Sequence, residues 1–417
     1  MRSGLDVLLS DEALMTRLRA ARVGVACNHT AVDANLDHVL DLLAARGVVV
    51  RRCFTPEHGL HATAQDMIHV DDEGAGAAEA ATRVRTEFVS LYGSSAESLR
   101  PRPEHLADLD VLLFDIQDIG SRYYTYQATL GYVMEVAAGT GTTVVVLDRP
   151  NPIDGVTLEG NLVRPGFESF VSAYPLPVRH GMTMGELGTY FRDRLGIRAR
   201  LEVVRCEGWR RDAYFDETGL PWVYPSPNMP TLDTAILYPG MCLIEGTNLS
   251  EGRGTTRPFH LVGAPWLDAS RFTDLCRMGA LDNDLRGVAF RAATFEPRFQ
   301  KFAGETCHGV EVTVTDRYAL DSLLLGLVVL EAALRAAPDS FRWRTETYEF
   351  VDDPIAIDLL CGSAEARVAL ESRVRPRDVV AGWAAERAAW DEEHRQPCLL
   401  YGSGLGVNAT SSDATKQ

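Results

Sequence analysis

The sequence predicts an α/β protein: a Rossmann-like parallel sheet domain lacking a dinucleotide fingerprint, plus a smaller C-terminal α/β auxiliary domain. Three observations carry this. Short continuous apolar runs alternate with helix-length segments over residues 1–160, the pattern of parallel strands covered on both faces. No G-x-G-x-x-G opens the first helix, where "ACNHTAV" stands, and neither G-x-x-x-x-G-K-[ST] nor G-x-S-x-G occurs. At 417 residues the chain exceeds one ordinary core, so a second domain is expected.

The elements follow in order. "RVGVACN" (22–28) reads as a buried strand, and "AVDANLDHVLDLLAARG" as a helix closing on Gly47. "VVVRRCF", "EFVSLYG", "DVLLFDIQ" (110–117) and "TTVVVLDRP" (142–150) give four more strands. "SRYYTYQATLGYVMEVAAG" between the last two is helical by periodicity and closes on Gly139. The small, acidic "DDEGAGAAEAATR" (71–83) predicts a loop excursion with a short helix. Beyond a Pro- and Gly-rich connector, Thr183 and Glu186 have capping-box spacing before a helix, and "RLEVVRC" is a sixth strand. "PWVYPSPNMPTLDTAILYPG" and "IEGTNLSEGRGTTRPF" read as loop-rich. The domain boundaries expected are 1–260 for the catalytic part, with 150–260 a loop-rich connector completing the cleft, and 261–402 for the auxiliary part. The latter has strands near "GVAFRAATF" and "GVEVTVTD" and helices at 320–336, 363–371 and 376–395. Residues 403–417 read as a disordered tail.

Composition narrows the function. A formal charge of −17 argues against nucleic acid or an anionic membrane as partner, since both demand a basic face. Local arginines still permit an anionic small substrate. Eight scattered cysteines with no C-x-x-C pair give no support to zinc-ribbon or redox readings. No apolar run reaches spanning length and the N-terminus lacks a signal-peptide core, so a cytoplasmic location is expected.

Ligands of open parallel sheets bind beyond the carboxyl ends of the strands. There the sequence offers Asn28 and His29, Glu57 and His58, Tyr92, then Asp115, Gln117 and Asp118, then Asp148 and Arg149. Glu57, beside apolar Phe54 and Pro56, is the best candidate for a glycosidase acid, because apolar neighbours raise a carboxyl pKa towards working pH. Asp115 or Asp118 is the candidate second group, activating water or orienting a substrate acetamide. A metal centre on His58 and His61, with His29, Asp66 and His69 in reserve, is the rival, weakened by an i, i+3 spacing across a Pro-Gly turn. A non-catalytic amino-sugar-binding protein is the third reading. "DIGSRYYTY" supplies Arg122, Tyr124 and Tyr126 for sugar and carboxylate contacts. His180, Glu245, Glu251 and Arg253 lie in loops able to close over the cleft. Neither a cofactor nor a metal is expected, and oligomeric state stays open.

Eight segments stand in order: "NHTAV", "FTPEHGL", "DVLLFDIQDIGSRYYTY", "VVVLDRPNP", "PLPVRHGMTMGEL", "PSPNMPTLD", "YPGMCLIEGTNLSEGRGTTRPF" and "AGETCHGVEVTVTD". Together they closely resemble the NamZ-type exo-β-N-acetylmuramidase family, from about residue 4 to residue 402. The resemblance implies a Rossmann-like domain without a dinucleotide, an auxiliary domain, and a cleft between them. It implies removal of terminal β-1,4-linked N-acetylmuramic acid from peptidoglycan fragments, and places the family's proposed catalytic glutamate at Glu57. The chain departs from the family motif after Pro-Glu-His-Gly: Leu60, His61 and Ala62 stand where an aromatic residue, Arg and Gly are usual, with His61 as the substitute for that arginine. Muramic acid carries a lactyl carboxylate, for which Arg122, Arg149, Arg179 and Arg253 are candidates, Arg122 first. Where many members are exported, a start without a signal peptide favours recycling of imported sugars.

Overall fold

The computed structural model describes residues 1–65, 68–69 and 86–402. The loop excursion expected at 71–83, the tail at 403–417 and the candidate ligand Asp66 lie outside the described residues.

Strands β1 (Val23–Cys27), β2 (Val50–Thr55), β3 (Glu87–Ser90), β4 (Val111–Asp115), β5 (Thr143–Leu147) and β6 (Arg200–Val204) form one sheet. Its order is β3-β2-β1-β4-β5-β6 and every pairing is parallel. That is the doubly wound order, with its crevice where the direction of winding reverses between β1 and β4. Each predicted strand of this sheet is present. The period of two sorts their side chains: Val25, Cys27, Leu113 and Val145 join one hydrophobic cluster, while Ala26, Leu112, Phe114 and Val144 join the other.

The first cluster is closed by the helix Gly4–Ser10 and its neighbour Glu12–Ala20. The second runs without interruption from the sheet into the C-terminal half, through Leu323, Val328, Leu359 and Trp390. In that half, β7 (Leu261–Ala264), β8 (Val288–Phe295) and β9 (Cys307–Val314) form an antiparallel sheet of order β7-β9-β8. The helix expected at 320–336 is Ser322–Ala336. The one expected at 376–395 is broken into Pro376–Gly382, Ala384–Trp390 and a π turn, Asp391–Arg395, with the first break beside Gly382.

Three local differences have physical reasons. The first crossover helix starts only at Val39, because the Asp33 carboxylate takes the amides of Asn35 and Asp37 into a turn instead. The helix after β4 spans Tyr126–Thr140 and ends on Gly141, whose φ of 78° suits a left-handed cap, rather than on Gly139. The stretch read as loop holds a helix, Leu232–Met241, capped by Thr231. It packs against Ser322–Ala336 with Gly240 and Gly326 face to face, where a Cβ on either would run into the other's backbone. This contact ties the C-terminal half to the loops above the sheet. The Thr183–Glu186 capping box is present as predicted. Among the described residues no helix is long and apolar enough to cross a membrane.

Candidate active site

β2 delivers the chain to Pro56, and the next three residues turn sharply. The amide of Gly59 donates to the Pro56 carbonyl at 3.0 Å, and both His58 (φ 71°) and Gly59 (φ 77°) are left-handed. A histidine held at positive φ is a local strain of the kind that persists where surrounding structure fixes it. The turn leaves Glu57 only 5% exposed, in a narrow recess of about 30 Å³ walled by Tyr124, Tyr126, Tyr238 and Phe259.

The Thr125 hydroxyl donates to Glu57 Oε2 at 2.7 Å. Burial pushes the Glu57 carboxyl up to about 7; the Thr125 bond and the Arg253 charge offset part of this, and the nearby Glu245 charge adds to it. Glu57 therefore keeps its proton near neutral pH.

Two further glutamates line the recess. Glu245 accepts from the Tyr348 hydroxyl at 2.9 Å and is bridged to Arg253, Nη2 to Oε1, at 2.9 Å. Glu349 accepts from Tyr92 at 3.2 Å and has φ 47°, another left-handed residue at the site. Glu245 and Arg253 also border a cavity of about 810 Å³, with Glu251, Lys301, Phe302 and Trp343 around it. Its volume is that of a small-molecule pocket, and the Glu57 recess adjoins it through those two shared side chains.

Of the residues singled out in the sequence, Glu57, His58, Tyr124, Tyr126, Glu245 and Arg253 meet at the recess, and Glu251 borders the larger cavity. The others are placed elsewhere. Asp115 is fully buried and its carboxylate receives Arg149 Nε at 2.5 Å, so it is occupied as the counter-ion of Arg149. Asp118 accepts the Gly120 amide at 2.8 Å, with His180 Nε2 at 3.7 Å. Gln117 donates to the carbonyls of Asp118 and Pro150. Asn28 donates to the Tyr126 hydroxyl at 3.0 Å and braces it from behind.

Arg122, first choice for the lactyl carboxylate, is fully buried and donates to the carbonyls of Asn161, Leu176 and Leu360. Arg179 pairs with Asp154 and Glu159. Of the four arginines considered, Arg253 is the one on the recess wall.

The histidines do not converge. His58 Nδ1 bonds the Ala64 carbonyl, His29 Nε2 bonds the Tyr224 carbonyl, His69 stacks on Phe350, and His61 is exposed between buried Leu60 and Ala62. Among the described residues no three His, Cys, Asp or Glu side chains are grouped as metal ligands. Sequence reasoning passed over Thr125, Tyr348 and Glu349. Thr125 sits inside "SRYYTY", where the tyrosines are the stronger signal, and nothing in "TETYEF" marks Glu349 out from Glu346.

Family models described as exo-β-N-acetylmuramidase NamZ, N-terminal and C-terminal, match residues 23–233 and 236–401. The chain belongs to the NamZ exo-β-N-acetylmuramidase family. A relative from Bacillus subtilis (strain 168), named peptidoglycan β-N-acetylmuramidase NamZ, is 39% identical over 402 residues, 96% of this chain and 91% of the relative. Two crystal structures of DUF1343 family proteins from Bacteroides fragilis share the fold. One has TM-score 0.82 at 31% identity and the other 0.72 at 25%, each over 96% of this chain and 99% of theirs. Membership of the NamZ family makes the chain a glycoside hydrolase.

Proposed function

We propose that the chain removes terminal, non-reducing β-1,4-linked N-acetylmuramic acid from peptidoglycan fragments, with Glu57 as general acid. The observation that carries the role is a carboxyl buried to the point of staying protonated near neutral pH, aimed by a strained turn and oriented by Thr125. The Thr125 hydroxyl donates a hydrogen bond to Oε2. Oε1 is then the oxygen that carries the acidic proton and delivers it to the glycosidic oxygen as the bond to the anomeric carbon breaks.

Positive charge develops on the ring of the N-acetylmuramic acid whose anomeric bond breaks, and water adds to the anomeric carbon to complete hydrolysis. An anionic group on the same recess answers the charge. Glu245, fixed by Tyr348 and Arg253, is the group we assign there, in place of Asp115 or Asp118. Arg253 also gives the recess a cation for the lactyl carboxylate. The tyrosine walls supply faces for the sugar ring, and the 810 Å³ cavity takes the remainder of the fragment.

The eight cysteines are buried and free, which fits a reducing compartment and supports action inside the cell on imported fragments. The test is hydrolysis of chromogenic β-N-acetylmuraminide against β-N-acetylglucosaminide by wild type and Glu57→Gln. Cleavage of the muraminide, lost in the variant, supports substrate and acid together. No cleavage of the muraminide by wild type sinks the assignment.

A further inference from the structure

The sequence has 41 lysines and arginines, and only two of them are lysines, Lys301 and Lys416. Lys416 lies outside the described residues. In a chain that uses arginine almost everywhere, the lysine that is described sits on the cavity bordering the active site.

Its surroundings explain the choice. Lys301 stands between β8 and β9, and the residues on either side of it, Gln300 (φ 62°) and Phe302 (φ 59°), are both left-handed. This strained bend turns the ammonium inward onto the loop that carries Glu245 and Glu251. Nζ lies 2.9 Å from the Leu249 carbonyl, 3.0 Å from Glu251 Oε2, 3.3 Å from the Ile244 carbonyl and 3.4 Å from the Glu245 carbonyl. A compact ammonium with rotatable donors suits acceptors that converge on one point, whereas a guanidinium spreads its donors over a planar fork.

The electrostatic consequence reaches the recess. Arg253 stands between two buried carboxylates, 2.9 Å from Glu245 and 3.3 Å from Glu251. Lys301 supplies Glu251 with a second cation; burial opposes ionisation of Glu251, but Lys301 and then Arg253 hold it below its ordinary range. With Glu251 so neutralised, Arg253 is left to sit closer to Glu245.

We propose that Lys301 is a positioning residue for Glu245: its ammonium fixes the backbone beneath that carboxylate and holds Glu251, so that Arg253 stays on Glu245. This rests on the reading of Glu57 and Glu245 given above.

The experiment is a pair of full-length variants, Lys301→Met and Lys301→Arg, measured for kcat and KM on the chromogenic muraminide and then crystallised. Both are expected to lose about tenfold to 100-fold in kcat, the scale of a misplaced catalytic group, with a smaller rise in KM, because the displaced Arg253 is also the cation assigned to the lactyl carboxylate. In the Met variant Arg253 is expected to move from Glu245 onto Glu251. Wild-type kcat in either folded variant overturns the inference, and the Arg variant carries the kinetic test should the Met variant not fold. Wild type that cleaves no muraminide defeats the functional reading instead. The crystal structure then decides on its own terms: Arg253 still about 2.9 Å from Glu245 without Lys301 overturns the positioning role, and its displacement supports it.

Discussion

Glu57 and Asp115 are two carboxylates at the ends of strands separated only by β1, and both are buried. Their neighbours differ. Asp115 has a guanidinium at 2.5 Å, and Glu57 has a hydroxyl at 2.7 Å. Asp115, paired with Arg149 and away from the recess, is a charge already answered, and removing it harms the fold. At Glu57 burial outweighs the hydroxyl bonds and the Arg253 charge, so its proton is held up to about 7, and a proton retained there is what a general acid needs. A pairing like that of Asp115 recurs near the sheet, where Glu186 is bonded by Arg211. Neither burial nor a retained proton marks a carboxylate as functional by itself. Glu159 is pushed up to about 7 beside Arg179 and Asp148 to about 6 among hydroxyls, and what sets Glu57 apart is that it also faces the recess.

The comparison can be broken most directly by exchanging charge for amide at both positions. Glu57→Gln is expected to lower kcat on the muraminide by about 10²–10⁴-fold, the usual contribution of a general acid, while leaving the thermal midpoint at pH 5 close to wild type. Asp115→Asn is expected to do the reverse. It leaves Arg149 buried without its counter-ion, at a cost of about 3–5 kcal/mol in denaturant unfolding, with kcat per folded molecule little changed. An Asp115→Asn protein that is stable but inactive would collapse the distinction.

pH sharpens it next. The Glu57 proton is present below about 7 and lost above, so activity should fall about tenfold per unit as pH climbs beyond that value. Stability follows the same group. The folded carboxyl holds its proton to higher pH than the unfolded one, so the contribution of Glu57 to stability is fullest below about 4.5 and declines as pH rises towards 7, by about 3 kcal/mol in all. Glu57→Gln removes that decline; equal pH dependence of unfolding in wild type and variant would contradict the assignment. The smallest effect belongs to Thr125→Val. Losing the hydroxyl costs orientation, about tenfold in kcat. It also removes a bond that favours the ionised form, so the alkaline limb of the rate profile should move to higher pH. A limb that moves to lower pH would refute Thr125 as the donor.

How legible this was varied with the kind of interaction. Glu57 could be found because a local signal surrounds it: an apolar strand, a proline and a Pro-Glu-His-Gly turn within a few residues. Asp115 carried a similar local signal and turned out to be tied to Arg149, a partner 34 positions along the chain. Arg122 read as a ligand arginine at a helix start, yet the three carbonyls it satisfies come from residues 161, 176 and 360. Thr125, Glu349 and Lys301 had no local mark beyond the rarity of lysine.

By itself the sequence determined the parallel sheet and the family, and singled out the carboxyl proposed as the acid, because hydrophobic period, turn chemistry and short motifs are all local properties. Only the tertiary structure decided which charges are answered and which are left to act. That depends on partners brought within about 3 Å from distant parts of the chain, and charge interactions in a buried site are set by those few ångströms rather than by neighbours in sequence.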